Sequence, residues 1–385
     1  MSPGPLPELV VLGGGAGPRG SAYAVSLAAV GVPIRVVPYA AVLDGQPLPV
    51  RPGAVVRCEA PSDTPGLDAR LVRLGGGPAV DVAAGQLVPT AAWHRGLGLL
   101  LSAVDRALAD APAHRRMQRT EAVLAMFDKA ETARRLATAG VPQPEHLTAA
   151  GPDAALARDV ELARDLVATG WGQAFVKPRF GSSGAGLIAL RWRGRDEVIA
   201  RTTIDWDGQR AGNTARLVTR RGWTAVQELI EVLRPDGLVV QRWLPKWSAG
   251  GGPCDLRVVV IAGQARHVLA RIATGPVTNL HLGARRGDLQ QTRRALGEEV
   301  WGRVLRVAEA AVGCFEPSLY AGVDVLVTPS GAPHVLEVNA FGDFHEGILA
   351  NGLDTYQTQW AALESGWGGS SGANPTGCAG DGSAA

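Results

Sequence analysis

The stretch YAGVDVLVTPSGAPHVLEVNAFGDFHEG, Tyr320 to Gly347, holds two β-rich runs, Val323 to Thr328 and Pro333 to Val338, around the turn signal Pro329-Ser330-Gly331-Ala332. That pattern predicts a β-hairpin. Pairing symmetric about Ser330 and Gly331 sets Asp324 opposite Glu337, and the two-residue period of a strand puts Asn339 on the same face as Glu337. Two carboxylates opposed in this way repel each other and call for a cation. An all-oxygen set without histidine or cysteine suits Mg²⁺, which keeps several waters and completes its shell with substrate phosphates. The plainer alternative is a pair of acids at exposed strand positions.

Upstream, VKPRFGSSGAG, Val176 to Gly186, follows an apolar run with one lysine, one arginine, three glycines and two serines. Glycine reaches positive φ without penalty, so such a loop brings backbone N–H groups close to an anion while Lys177 supplies a point charge. A surface hairpin loop is the competing reading. In FDKAETARRLATAGVPQP, Asp128 with Glu131 three residues later is a capping-box-like helix start, and Gly140, Pro142 and Pro144 close the helix. Lys129 therefore opposes the helix dipole, a conflict that a nearby anion removes. A solvated surface lysine is the alternative there.

At 385 residues, 46% hydrophobic and 19% charged, the chain is long enough for two or three packed units and ordinary for a globular protein. A net charge of +2, with no basic patch interleaved with aromatics, does not indicate nucleic acid. No apolar stretch approaches the roughly 20 residues of a membrane span. Cys58, Cys254, Cys314 and Cys378 show neither a CxxC pair nor a zinc rhythm, and read as idle thiols in a reducing cytoplasm. The oligomeric state is left open.

Along the chain, a strand at Glu8 to Leu12, a helix from Ser21 to Val30 and a strand at Ile34 to Val37 form a βαβ opening. Gly15, Gly17 and Gly20 match the dinucleotide fingerprint, yet Val36-Val37-Pro38-Tyr39 lacks the acid that holds a ribose. A strand-to-helix turn, or a loop against the organic substrate, fits better. With a long helix over Trp93 to Leu108, residues 1–115 read as an N-terminal α/β unit and 116–365 as a second unit with a small lobe at about 172–243. The second unit carries predicted strands at Ala174 to Pro178, Gly186 to Leu190 and Leu238 to Leu244, and a helix at Trp223 to Glu231. A hairpin of Leu256 to Ile261 with Ala265 to Ile272 and one long helix over Leu289 to Val312 follow. The low-complexity tail, 366–385, is expected to be disordered.

Over roughly Phe127 to Leu349 the chain resembles the ATP-grasp superfamily and, within it, the RimK-like ligases. The motifs are FDKAET, VKPRFGSSGAG, VVQRWLP, CDLRVVVIAG followed by RHVLARIATGPVTNLHLGARRGD, and GVDVLV with VLEVNA. The resemblance implies an α+β fold in which an N-terminal α/β unit precedes two lobes with antiparallel sheets that clasp ATP. It implies that Lys129 and Lys177 meet the nucleotide phosphates, that Gly181, Ser182, Ser183 and Gly184 form the loop closing over them, and that Gln241, Arg242, Trp243 and Leu244 are the hinge beside adenine. Asp324, Glu337 and Asn339 would hold Mg²⁺, with Mn²⁺ as a substitute; Arg257, Arg271 and Asn279 would face the γ-phosphate and an acyl phosphate. The chain departs from the pattern at Arg242, where similar ligases often have glutamate, and at Lys246. Asp255 shares a strand face with Arg257 and is expected to hold its guanidinium, while His345 and Glu346 either touch the acceptor or cap the helix that follows.

The chemistry implied is ligation. A carboxylate attacks the γ-phosphate to give an acyl phosphate and ADP, and an amine then displaces phosphate to leave an amide. A kinase that stops after phosphoryl transfer, or a nucleotide-binding regulator without turnover, are the alternatives.

Overall fold

The computed structural model describes residues 6–368 apart from 15–17, 83, 148–161, 195–196, 249 and 344. Among the described residues, fifteen strands fall into three sheets. The first is parallel, in the order β2-β1-β3-β4, with β1 Leu9–Leu12, β2 Ile34–Val37, β3 Val55–Cys58 and β4 Arg115–Arg116. β1 is a buried apolar run, as a parallel sheet covered on both faces requires, and β3 is buried throughout although it carries Arg57. The helix Pro18–Ala28 provides the crossover between β1 and β2. Two members of the glycine fingerprint, Gly15 and Gly17, lie outside the described residues.

The second sheet runs β5-β10-β6-β7-β8-β9 and is antiparallel throughout. Its strands are β5 His146–Leu147, β6 Gln173–Pro178, β7 Ile188–Arg193, β8 Glu197–Trp206, β9 Ala211–Arg221 and β10 Leu238–Arg242. The long β8–β9 hairpin is absent from the sequence reading, because its arginines and threonines blur the apolar alternation that marks a strand. One face of this sheet packs under the helix Trp223–Leu233 around Val176, Leu190, Ala200 and Val226.

The third sheet runs β13-β12-β11-β14-β15, with β11 Cys254–Ile261, β12 Gln264–Ile272, β13 Arg285–Arg286, β14 Tyr320–Val327 and β15 Pro333–Asn339. β14 is buried along its whole length. The single helix expected over Leu289 to Val312 is two, Leu289–Leu296 and Glu298–Gly313. They break at Gly297, whose φ of 80° no helix accommodates. The N-terminal unit and this lobe share one apolar core, which joins Val10, Leu12 and Leu100 to Val258 and Val323, whereas the second sheet keeps its own. Trp367, at the start of the expected tail, packs against the core beneath β1; residues 369–385, with Cys378, lie outside the described residues.

The β14–β15 hairpin has the expected pairing where it matters and a different one at its turn. Val327 pairs with Pro333 and Val325 with Val335, a register that, continued, would set Asp324 against Leu336. A bulge between Asp324 and Val325 takes up the extra residue, so Asp324 pairs with Glu337 and Gly322 with Asn339. Beyond Asn339 the chain doubles back closely: a Cβ on Gly322 would lie 2.4 Å from the Gly342 carbonyl oxygen. Gly322→Ala is therefore expected to cost about 1–3 kcal/mol of stability by overpacking, read as a lower midpoint of urea unfolding. An unchanged midpoint would mean that the crossing has slack.

Candidate active site

Lys177 lies on β6 and Gln241 on β10, and the ladder pairs Gln241 with Phe175 and Val239 with Lys177. Alternation then sends Lys177, Phe175 and Gln241 to the sheet face opposite the helix. There Lys177 Nζ donates to Gln241 Oε1 at 2.8 Å, and Gln241 Nε2 lies 3.2 Å from His146 Nε2. Gln241 is buried. Burial also pushes the Lys177 ammonium down to about 8, although the nearby Glu337 carboxylate works to hold the proton on. Burial, with Lys177 as neighbour, pushes His146 down to about 4, so it is neutral at pH 7.

A ligand phosphate requires the ammonium form of Lys177. In the free protein that form is lost as pH rises through about 8. ADP affinity is therefore expected to be flat below pH 7 and to fall above pH 8, by at most about tenfold per unit. Lys177→Arg, charged throughout, should remove that slope. Equal slopes in both proteins, measured by calorimetric titration, would contradict the assignment. For folding the sign is reversed: between the lowered native value and the ordinary lysine value the unfolded chain binds more protons, so stability gains as pH rises through that window.

Lys129 begins the helix Lys129–Thr138, and Asp128 is its cap, accepting from the Ala130 and Glu131 N–H groups. Only half of the expected capping box forms, because Glu131 turns to Arg134 and Arg135 instead. Asp128 has a second task. It accepts two bonds from Arg179, at 2.8 and 2.6 Å, and the Lys129 N–H donates to the Arg179 carbonyl at 2.9 Å. This clamp roots the glycine loop on the helix end. From the loop, Gly181 offers its carbonyl to Lys129 Nζ at 2.7 Å, while Glu337 Oε1 stands 3.4 Å from the same ammonium. Ser183 has φ 57°, a left-handed backbone rare for a side-chain-bearing residue. A Cβ on Gly184 would come 3.4 Å from Asn279 Nδ2, so Asn279 lies directly against the loop. Asn279 Oδ1 accepts from the His281 N–H at 2.8 Å.

Across the cleft, Asp324 is ringed by arginines. Arg257 donates through Nε and through Nη2, the latter at 3.1 Å, and Arg271 Nη2 stands 3.1 Å away. Burial favours the neutral acid, but the two guanidiniums more than reverse this and hold Asp324 well below the usual carboxylate range. Asp255, expected to hold Arg257, instead accepts from Arg271 Nε at 2.8 Å, from Lys246 Nζ at 3.1 Å and from the Thr278 hydroxyl. The reason is register: Arg257 pairs across the ladder with Asp324, and Asp255 with Arg271. Lys246, at the position where an acid was anticipated, thus belongs to the charge cluster.

Among the described residues no group of three or more His, Cys, Asp or Glu side chains gathers as a metal site. The expected set has two acids and an amide: Asp324 and Glu337 paired across the ladder, and Asn339 on the face of Glu337, its Nδ2 donating to the Gly322 carbonyl at 3.4 Å. Each of the three can offer an oxygen, and both acids stand beside cationic side chains, Lys129 at Glu337 and Arg257 at Asp324; the oxygen donors suit a hard divalent ion. One small cavity is lined by Lys129, His146, Lys177, Gln241 and Glu337, so both lysines and one acid face the same space.

The hinge is less unified. Gln241 turns inward, but Arg242 pairs with Glu145 at 3.0 Å on the exposed side. Trp243 packs on Phe175 with ring centroids 5.0 Å apart and carries Arg191 over its ring at 4.5 Å, while Leu244 lies beyond the strand end. His345 and Glu346 cap no helix; the next begins at Thr355 with Asp354 as its cap. His345 is buried, burial and Arg257 push it down to about 3, and its Nε2 has no partner among the described residues. The loop before it is pinned carbonyl by carbonyl: Gln118 donates to Ala340 and Arg19 to Phe341, at 2.8 and 2.6 Å. Asp343 then receives the buried Arg57 at 2.9 Å. Arg179, Thr278, Arg19 and Arg57 carry no local pattern that would have singled them out, whereas Lys246 stood out only as a departure from the family pattern.

This arrangement joins a glycine loop with a lysine at each side to an antiparallel clasp facing a carboxylate pair. The YheC/D like ATP-grasp family matches residues 124–348, from the helix before Lys129 to the loop after Asn339. The chain belongs to this family. The ATP-grasp fold is also that of solved structures that align with nearly the whole chain. The crystal structure of D-cycloserine synthetase DcsG superposes with a TM-score of 0.53 at 16% identity, covering 92% of this chain and 99% of that one. The ATP-grasp ligase PsnB, complexed with minimal precursor, gives 0.53 at 19%, covering 93% and 99%. The D-alanine–D-alanine ligase from Bacillus anthracis, complexed with ATP, gives 0.51 at 12%, covering 93% and 95%. At such identities the likeness is one of fold. No curated protein matches the chain.

Proposed function

We propose that this ATP-grasp protein is an ATP-dependent carboxylate–amine ligase, as its RimK-like motifs suggest, that forms an amide and releases ADP and phosphate. What carries the reading is the convergence of Lys129, Lys177 and Glu337 on one cavity, with the arginine-ringed Asp324 paired to Glu337 across the ladder. Lys129 and Lys177 would neutralise the nucleotide phosphates, and the N–H groups of Gly181 to Gly184 would close over them. Gln241 to Leu244 would hold the adenine side. Arg257 and Arg271, fixed by Asp324 and Asp255, would meet the γ-phosphoryl oxygens and then the acyl phosphate, with Asn279 reaching the same place beside the loop. Mg²⁺, held by Asp324, Glu337 and Asn339, would supply charge neutralisation on the phosphates when bound. No side-chain nucleophile takes part: the substrate carboxylate attacks phosphorus, and the amine later displaces phosphate.

Among the described residues no helix is long and apolar enough to cross a membrane, and Cys58, Cys254 and Cys314 are free thiols. The substrates of this reading are small-molecule or peptide acids and amines, and its compartment is the cytoplasm. The reading is tested by an ADP-release screen over paired acids and amines with Mg²⁺. ADP formation that requires both partners, with an amide product, is expected; ADP formation with a phosphorylated hydroxyl compound would make it a kinase.

A further inference from the structure

The ladder of the second sheet continues past the proposed phosphate lysine. Gln241 pairs with Phe175, Phe175 with Ala189, Ala189 with Arg201 and Arg201 with Thr219, so one row of side chains on the cleft face runs from the hinge to β9. The neighbouring row, Gln173, Arg191, Ile199 and Arg221, adds two more arginines to that face. Residues 186–222 hold eight arginines against four acids, whereas the whole chain is only +2. The cationic surplus of the protein is therefore concentrated on this part of the fold.

Arg201 is the member that reaches the other lobe. A Cβ on Gly275 would lie 3.6 Å from Arg201 Nη1, so the guanidinium rests against the backbone of the loop that joins Arg271 to Thr278 and Asn279. Among the described residues no carboxylate pairs with Arg201, in contrast to Arg257, Arg271 and Lys246, whose charges Asp324 and Asp255 already engage. Two strand spacings, roughly 10 Å, separate β8 from β6 and its Lys177. Arg201 is thus an exposed cation without an acid partner among the described residues, on the cleft face three strands from the hinge strand β10 and beside Gly275.

We propose that Arg201 selects an acid substrate carrying a second anionic group, a dicarboxylate or a phosphorylated carboxylate, gripping that group while the reacting carboxylate lies toward Arg257 and Arg271. This rests on the ligase reading for its orientation but not for its measurement. A planar guanidinium binds either anion through two parallel N–H bonds, which is why the two sources share one chemistry.

The test is calorimetric titration of the full chain, saturated with ADP and Mg²⁺, with propionate, succinate, glutarate and 3-phosphoglycerate, followed by the ADP-release screen on the same acids. At least one dianion is expected to bind roughly tenfold or more tightly than propionate, the succinate–glutarate and phosphoglycerate arms showing which anion is meant. Arg201→Gln should abolish that preference and leave ADP affinity within twofold, while Arg201→Lys retains part of it. Arg210→Gln, which removes the same charge at the β8–β9 turn, should change neither. A preference that survives in Arg201→Gln, equal binding of all four acids, or a matching loss of ADP affinity would overturn the proposal. A dianion preference that depends on Arg201, with no ADP release from any acid and amine, would overturn the ligase reading alone.

Discussion

Glu337→Gln is expected to lower turnover by roughly 10² or more, the scale of one lost preorganised electrostatic contact, with thermal stability nearly unchanged. Glu337 is a half-buried acid at the cleft wall. It answers Lys129 at 3.4 Å and pairs with Asp324 across the ladder, but no buried guanidinium among the described residues depends on it. The amide keeps its shape and removes one negative charge where charge must be balanced against phosphate. Steady-state rates at saturating ATP and limiting Mg²⁺ read the effect. Rates within twofold of wild type would contradict the metal assignment. Asp324→Asn will not mirror this change, because Asp324 also holds Arg257 and Arg271, and its loss adds a folding defect to the catalytic one.

The second large effect is on stability. Asp255 is buried and is shared by Arg271, Lys246 and Thr278, with Arg271 itself buried and raised in pKa by the two acids beside it, against the effect of burial. Asp255→Asn leaves a buried guanidinium with one acid instead of two and an ammonium with none. The expected loss is about 3–5 kcal/mol, as for a buried ion pair broken on one side. Urea unfolding monitored by tryptophan fluorescence measures it. A loss below about 1 kcal/mol, the range of exposed ion pairs, would mean that the cluster is solvated.

Much of this site was legible because its signals are local. Lys129 stands at a helix start marked by Asp128, Lys177 beside a glycine loop, and Asp324 and Glu337 on two runs flanking a turn. Even there the register was right for a reason the sequence hides: the bulge at Asp324 and Val325 compensates for a turn centred on Ser330 rather than between Ser330 and Gly331. What stayed hidden is long-range. The partners of Asp255 depend on which strand lies on each side of β11, a matter of ladder order that no spacing within one segment encodes. Arg201 and Arg221 lie on a hairpin whose arginines and threonines conceal its alternation, so their place on the cleft face emerges only from the register with β7. The two-helix break at Gly297 was visible as a glycine, but an isolated glycine in a helical pattern is tolerated often enough to be passed over.

The central claim is that a substrate carboxylate attacks the γ-phosphate of ATP and is then transferred to an amine. It is tested most directly by supplying the acid found in the ADP-release screen with ¹⁸O in its carboxylate and measuring the released phosphate by mass spectrometry. Ligation through an acyl phosphate predicts one labelled oxygen in each phosphate released, in step with amide formation. Unlabelled phosphate, or a phosphorylated product with all label still in its carboxylate, would contradict it.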